Sequence, residues 1–355
     1  MRNLILGLEK CLAEKKTAVI ATIIKTEGST YQPVGTRCLI MVDGQIEGLV
    51  SGGCVESDLI ERVSGIIENY HSETLYYDFR SEFDLLWGMG LGCDGAVEIF
   101  LQPFDPIHHL KDAEEMYNFM KQSDQTEESY QIATVIQSSN ESHCPVGMMK
   151  ILPPLDEVQL KKSMLCEITI NGTQTLSFIE KVEPRPHVTI FGAGPDVVPV
   201  VKQLSNINWK TTIVDHRPQY ATSIHFPEAN EVILTTRNGY ESVKIKKNTF
   251  VIIMTHNFEV DVSILRGLYK ENVQYIGILG AHRRIYKIMG ELKDSEMNIF
   301  TASKVHSPIG LDIGAQSPEE IALSIVSELL AFKNNRNASR RVVTTIENIP
   351  LLQRC

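Results

Sequence analysis

The half of the chain after residue 186 carries the pattern that most restricts the fold. From residue 187, "HVTIFGAGPDVVPVVKQL" is typical of a strand, a glycine-rich turn and a helix. Further apolar strand segments follow, separated by helical or polar stretches: "KTTIVDHRP", "NEVILTT", "TFVIIMTHN" and "VQYIGILGAHRR". Strands that alternate with helices predict a doubly wound parallel sheet. We therefore expect an α/β chain whose C-terminal domain, residues 186–335, is Rossmann-like.

The first glycine turn of this domain has the spacing of a dinucleotide site. Gly192 and Gly194 would let the backbone approach a phosphate, and Asp215, 21 residues after Gly194, would accept hydrogen bonds from ribose hydroxyls. Two neighbours depart from that pattern, because Val197 replaces the third glycine and Asp196 places a negative charge beside a pyrophosphate. The turn therefore leaves two alternatives open, a nucleotide or pterin-like ligand and a purely structural Rossmann-like domain.

Polar residues follow the later strands of the same predicted sheet. His256 comes after the fourth strand and Arg283 after the fifth, and "VHSPIGLDIGA" forms a long loop further on. Because open α/β sheets bind ligands at the carboxyl ends of their strands, these residues predict a cleft there. The alternative for each histidine is a hydrogen-bonded loop residue.

The region before the domain predicts a separate α+β domain over residues 1–182. It contains a buried strand at 17–24, a hairpin that turns at Asp43 and Gly44, and a helix at about 54–70. A second glycine-rich loop, "WGMGLGCDGAVEIFL", leads into another strand, and several short strands occupy 130–182. The Pro-rich "EPRP" that follows is typical of a linker, and residues 336–355 predict a polar tail.

The stretch "VSGGCVESDLIERV" places Cys54 in the first turn of the predicted helix. Ser51 is expected to cap that helix. Free backbone N–H groups and the positive end of the helix dipole lower the pKa of a cysteine thiol, so Cys54 is a candidate reactive thiol or soft metal ligand. The alternative is a buried structural cysteine beside a tight turn.

Composition excludes several classes of function. The net charge of −10 argues against a nucleic-acid partner, and no apolar run approaches the roughly 20 residues of a membrane span. Seven cysteines without a CxxC pair indicate neither a zinc ribbon nor a disulfide framework, so we expect reduced thiols and a cytoplasmic protein. The sequence also lacks the Walker A, HExxH and GxSxG motifs.

Three long stretches resemble the xanthine dehydrogenase accessory factor family of the XdhC/CoxI type. They are "EGSTYQPVGTRCLIMVDGQIEGLVSGGCVESDLIE", "VTIFGAG…IVDHRP…FPEANEV" and "IGILGAHRR…VHSPIGLDIGAQSPEEIALSI", and the resemblance spans about residues 15–333. It implies a chaperone, without turnover of its own, that transiently binds the molybdopterin form of the molybdenum cofactor. Such a protein supports sulfuration of the cofactor with a cysteine desulfurase as sulfur donor, inserts it into a xanthine dehydrogenase-type molybdenum hydroxylase, and tends to form a homodimer.

The resemblance also implies site residues. Cys54 matches the "SGGC" motif of the family and Cys93 matches its second glycine-cysteine loop, which makes both candidate molybdenum ligands. Gly52 and Gly53 would let the pterin approach the backbone, and Arg37 would meet its phosphate or ring carbonyls. At Pro195 the chain departs from the family, which more often has histidine there.

Two other functions remain open at this point. One is an NAD(P)-dependent oxidoreductase that uses Gly192, Gly194 and Asp215, with weak binding of NAD(P) expected. The other is a structural regulator whose Rossmann-like domain mainly dimerises.

Overall fold

A computed structural model describes residues 2–80, 95–153, 163–268, 271–280, 282–291 and 304–336. The chain divides into two compact units, Met1–Arg185 and Pro186–Cys355, called here the first and the second unit. Among the described residues, no helix is both long and apolar enough to cross a bilayer.

The first unit begins with an antiparallel sheet whose strand order is β3-β2-β1-β5-β4. Its strands are β1 (Ala18–Gly28), β2 (Arg37–Met41), β3 (Ile46–Gly48), β4 (Glu73–Asp78) and β5 (Gly95–Phe104). Helix α2 (Cys54–Asn69) covers one face, while α1 (Arg2–Glu14) and α3 (Leu110–Gln125) cover the other. Alternate residues of β1 enter the two cores, because successive side chains of a strand point to opposite faces.

A second antiparallel sheet completes this unit, with strand order β7-β6-β9-β8. Its strands are β6 (Tyr130–Ser138), β7 (Met149–Leu152), β8 (Met164–Ile170) and β9 (Thr173–Val182). The turn between β8 and β9 uses Asn171 and Gly172, both with positive φ, which is the turn that a two-residue hairpin favours.

The second unit contains a parallel sheet of order β12-β11-β10-β13-β14-β15. Its strands are β10 (His187–Phe191), β11 (Lys210–Asp215), β12 (Glu231–Leu234), β13 (Thr249–Ile253), β14 (Val273–Ile278) and β15 (Val305–His306). In chain order this is 3-2-1-4-5-6, the strand order of the Rossmann fold. The predicted fold class is therefore confirmed.

Helices cover both faces of this parallel sheet. They are α4 (Val197–Asn206), α5 (Phe258–Leu268), α6 (His282–Glu291) and α7 (Pro318–Lys333). Helices α4 and α7 share one apolar core with the sheet, and α5 packs in the other. Burial on both faces explains why these strands are almost continuously apolar. Helix α7 begins with a capping box, in which the side chains of Ser317 and Glu320 each accept the backbone N–H of the other residue.

Candidate functional site

The SGGC turn, residues 51–54, leads directly into α2. Gly53 is the N-cap and has a φ of 112°, a left-handed conformation that glycine adopts without a steric penalty. The prediction that Ser51 is the N-cap is wrong by two residues. The turn nevertheless brings the Ser51 hydroxyl back to the helix, where it accepts the N–H of Val55 at 3.2 Å.

A buried carboxylate holds this turn together. Glu56 is only 5% exposed, and its side chain accepts the N–H groups of Val50, Ser51 and Gly53 at 3.2, 2.7 and 3.1 Å, together with the Ser51 hydroxyl. Burial alone would raise the pKa of Glu56, but these hydrogen bonds outweigh it and lower the pKa below its usual range. Sequence reasoning missed Glu56, although its position three residues after Gly53 is the spacing of a capping box.

The glycines of the turn leave open space beside it. A Cβ atom built on Gly53 would meet no atom within 4 Å, and one on Gly52 would meet only the ring of Tyr31, at 3.9 and 4.0 Å. Both glycines are exposed. A ligand that approaches the backbone of Gly52 and Gly53, as predicted from the sequence, would meet no side chain on these two residues.

Of the two predicted metal ligands, the structure describes the backbone position of Cys54. Cys54 is the first residue of α2, whereas Cys93 lies outside the described residues. The N–H groups on either side of Cys54, which were expected to be free and to lower the pKa of its thiol, have acceptors. Those of Gly53 and Val55 donate to the side chains of Ser51 and Glu56. In the described part of the chain, no three His, Cys, Asp or Glu residues are grouped to hold a metal ion. Metal ligation by either cysteine stays a prediction.

Arg37, the predicted phosphate contact, is paired within the first unit. Its guanidinium makes a two-pronged pair with the carboxylate of Glu180, with Nη1 at 3.0 Å from Oε1, and both side chains are about 10% exposed. The pair joins β2 of one sheet to β9 of the other. A ligand phosphate at Arg37 would therefore have to compete with Glu180.

In the second unit, the GAG turn, residues 192–194, passes very close to a neighbouring strand. Gly192 has a φ of 113°, and a Cβ there would lie 2.4 Å from the carbonyl oxygen of Met254. Any side chain at this position would displace the backbone, so close packing requires glycine whether or not a ligand binds.

Asp215, the predicted ribose contact, is engaged by the protein itself. Its side chain is about 2% exposed and accepts the N–H of Ala193 at 2.7 Å and three N–H groups of Arg217 at 2.7 to 2.9 Å. Burial acts to raise the pKa of Asp215, but the Arg217 guanidinium and the backbone donors hold it below its usual range. Asp215 thus stabilises the GAG turn by accepting a hydrogen bond from its backbone.

Asp196 and His256 form a pair across the carboxyl edge of the sheet. Asp196 is the N-cap residue of α4, and one of its carboxylate oxygens lies 2.9 Å from His256 Nε2. His256 follows β13 with a φ of 56°, which is uncommon for a residue other than glycine. Strands β10 and β13 are where the strand order reverses, and ligands of open α/β sheets bind at that point.

The other predicted residue of this edge, Arg283, is exposed in the first turn of α6, after β14. Its neighbour Arg284 is instead held by the buried Asp261, with Nε at 3.1 Å from the carboxylate. At this edge, Arg283 is therefore exposed, whereas Arg284 is paired with Asp261.

Comparison with known proteins agrees with both units. Residues 188–329 match the XdhC Rossmann domain, and residues 11–78 match the XdhC and CoxI family. A Bacillus subtilis protein described as a probable xanthine dehydrogenase subunit is 32% identical over 93% of this chain and 97% of its own length. The chain belongs to the XdhC and CoxI family. The predicted family membership is therefore confirmed.

Two further proteins extend the comparison. A crystal structure of a xanthine dehydrogenase from Bacillus halodurans superposes with a TM-score of 0.71 at 30% identity, covering 94% of this chain and 96% of that one. The molybdenum cofactor insertion chaperone PaoD of Escherichia coli is 20% identical over 91% of this chain and 86% of its own length. The similarity thus extends over both units.

Proposed function

We propose that this XdhC/CoxI-family protein takes part in xanthine dehydrogenase maturation as a molybdenum cofactor chaperone. It binds the cofactor transiently, protects it during sulfuration and delivers it to a xanthine dehydrogenase-type hydroxylase. The names of the B. subtilis and E. coli relatives support the role. The observation that carries it is the SGGC turn, whose backbone Glu56 fixes while Gly52 and Gly53 stay open to a ligand.

The residues around this turn suit the chemistry of such a cofactor. Thiolates are soft ligands, and the dithiolene-bound molybdenum of the cofactor accepts them, so Cys54 and Cys93 are the proposed metal contacts. Gly52 and Gly53 would admit the pterin. When bound, the cofactor supplies the molybdenum centre that the client hydroxylase needs, and the part of this chain is to hold, orient and shield it.

The proposal includes partners and a compartment. A cysteine desulfurase would supply sulfur, the client would be a molybdenum hydroxylase, and the chaperone would act as a cytoplasmic homodimer. The described cysteines Cys11, Cys38, Cys144 and Cys166 are free thiols, which suits a reducing compartment.

The test is cofactor retention by cysteine variants purified anaerobically from a host that makes molybdopterin. We expect Cys54→Ser, and less strongly Cys93→Ser, to lose molybdenum and pterin while the melting temperature stays nearly unchanged, because a ligand is removed without a change in packing. Molybdenum content and pterin fluorescence after oxidation measure the loss. Cys166→Ser, half-buried in β8, is the matched control and should retain the cofactor. Full occupancy in the Cys54→Ser/Cys93→Ser double variant would contradict the proposal.

A further inference from the structure

An exposed aromatic ring stands beside the SGGC turn. The side chain of Tyr31 is 59% exposed, although tyrosine usually covers much of its ring with protein. Two of its ring carbons, Cδ2 and Cε2, are the nearest atoms to the position that a Cβ would take on Gly52. The ring and the bare glycine backbone therefore border the same open space.

Both sides of this space are held in place by hydrogen bonds. The loop that carries Tyr31 is closed onto β1, because Ile23 donates to the carbonyl of Thr36 at 2.9 Å and Gly35 donates to the carbonyl of Ile23 at 2.8 Å. The SGGC turn is fixed by the hydrogen bonds that its backbone donates to the buried carboxylate of Glu56. A ligand would thus meet preformed walls, which reduces the entropy lost on binding.

The hydrogen-bonding groups of the turn indicate which kind of ligand part belongs here. Successive N–H groups in such a turn commonly form a nest for anions. In this turn the Glu56 carboxylate already accepts the N–H groups of Ser51 and Gly53, so an incoming phosphate would meet a buried negative charge beside these donors. Beside these donors, the space offers the aromatic ring of Tyr31 and the bare backbone of Gly52 and Gly53.

We propose that Tyr31, Gly52 and Gly53 form a platform that stacks a planar fused heterocycle, the pterin of the molybdenum cofactor. The inference rests on the proposed function and adds the place and the mode of binding. Stacking of a heterocycle on an aromatic side chain depends on the face of the ring and tolerates different substituents. Glu56 is then a positioning residue, since it shapes the backbone under the ring.

Titration of the full-length protein with free pterin, followed by pterin fluorescence, tests the platform. We expect Tyr31→Ala to weaken pterin binding roughly 10-fold or more, as loss of one stacking contact does, and Tyr31→Phe to stay within about 2-fold because the ring is kept. Gly52→Ala should also weaken binding. Its methyl group would sit at ordinary contact distance from Tyr31 without strain in the protein, yet inside the space for the ligand.

Gly65→Ala on the exposed face of α2 is the matched control, because a Cβ there meets nothing within 4 Å, and pterin should bind it as it binds the wild type. Unchanged pterin affinity in both Tyr31→Ala and Gly52→Ala would overturn the platform. So would a wild-type protein that retains the cofactor but does not bind free pterin. A wild type that retains no cofactor when purified from a molybdopterin-making host would instead overturn the proposed function.

Discussion

The two glycine turns of this protein look alike in sequence and differ in how their carboxylates are used. Each turn leads into a helix and has an acidic side chain close to the helix start, Glu56 at the SGGC turn and Asp196 at the GAG turn. Glu56 is 5% exposed and accepts hydrogen bonds from three backbone N–H groups and a hydroxyl. The side chain of Asp196 is 28% exposed, and its described hydrogen-bond partner is His256, which is itself 60% exposed.

Burial explains the consequence of this difference. A buried carboxylate that accepts hydrogen bonds from buried donors stabilises the folded state, because its loss would leave those donors without partners. An exposed hydrogen-bonded pair competes with water and contributes little to stability. We infer that Glu56 fixes the SGGC turn before any ligand arrives, while Asp196 contributes little to the stability of the GAG turn.

The largest expected effect comes from Glu56→Ala. This change removes the carboxylate that accepts the N–H groups of Val50 and Ser51 and one of the two acceptors of the Gly53 N–H, and it should lower the free energy of unfolding by about 3 kcal/mol. Chemical denaturation measures it. Glu61→Ala, at an exposed position of the same helix, should change the stability by less than about 0.5 kcal/mol. Equal effects of the two substitutions would show that Glu56 stabilises the protein no more than an exposed glutamate does, and the carboxylates of the two turns would then not differ in this respect.

The stabilising effect of the Glu56 charge should also appear in the pH dependence of stability, and it should be smaller than the effect of Glu56→Ala. Because the folded state lowers the pKa of Glu56, its contribution is complete above the ordinary glutamate pKa of about 4.3 and is lost as the pH falls through the lower folded value. The stability difference between the wild type and Glu56→Gln should therefore shrink between pH 6 and pH 3. Denaturation curves across this range check it, and a constant gap would show that the charge of Glu56 does not stabilise the turn.

The smallest expected effect on stability comes from Asp196→Gly. Loss of the exposed pair with His256 should cost under about 1 kcal/mol. Removal of the negative charge should, however, tighten NAD(P) binding, which we expect to be at best high micromolar in the wild type. Isothermal titration measures both affinities, with Glu319→Gln as a control that removes an exposed charge from the same unit. Submicromolar binding by the wild type would favour the oxidoreductase alternative.

Much of the fold was predictable because it depends on local pattern. The first five strands of the second unit follow from apolar runs between turn residues, and the capping box of α7 follows from the spacing of Ser317 and Glu320. The two-residue strand β15 (Val305–His306) was expected to be part of a loop, and its pairing with β14 makes it a strand. The N-cap of α2 was misplaced, because the left-handed conformation of Gly53 moves the start of the helix past Ser51. Such a shift depends on one backbone angle, which residue type alone does not specify.

The sequence by itself determined the family, the parallel sheet and the placement of both glycine turns before helices, since these are properties of neighbouring residues. Only the tertiary structure decided how the polar side chains are used. It paired Arg37 with Glu180 across two sheets, turned Asp215 toward the backbone of the GAG turn, and brought Tyr31 beside Gly52. The physical reason is that a hydrogen bond or ring contact depends on distances of a few ångströms between distant parts of the chain. Those distances are set by packing, which no local pattern encodes.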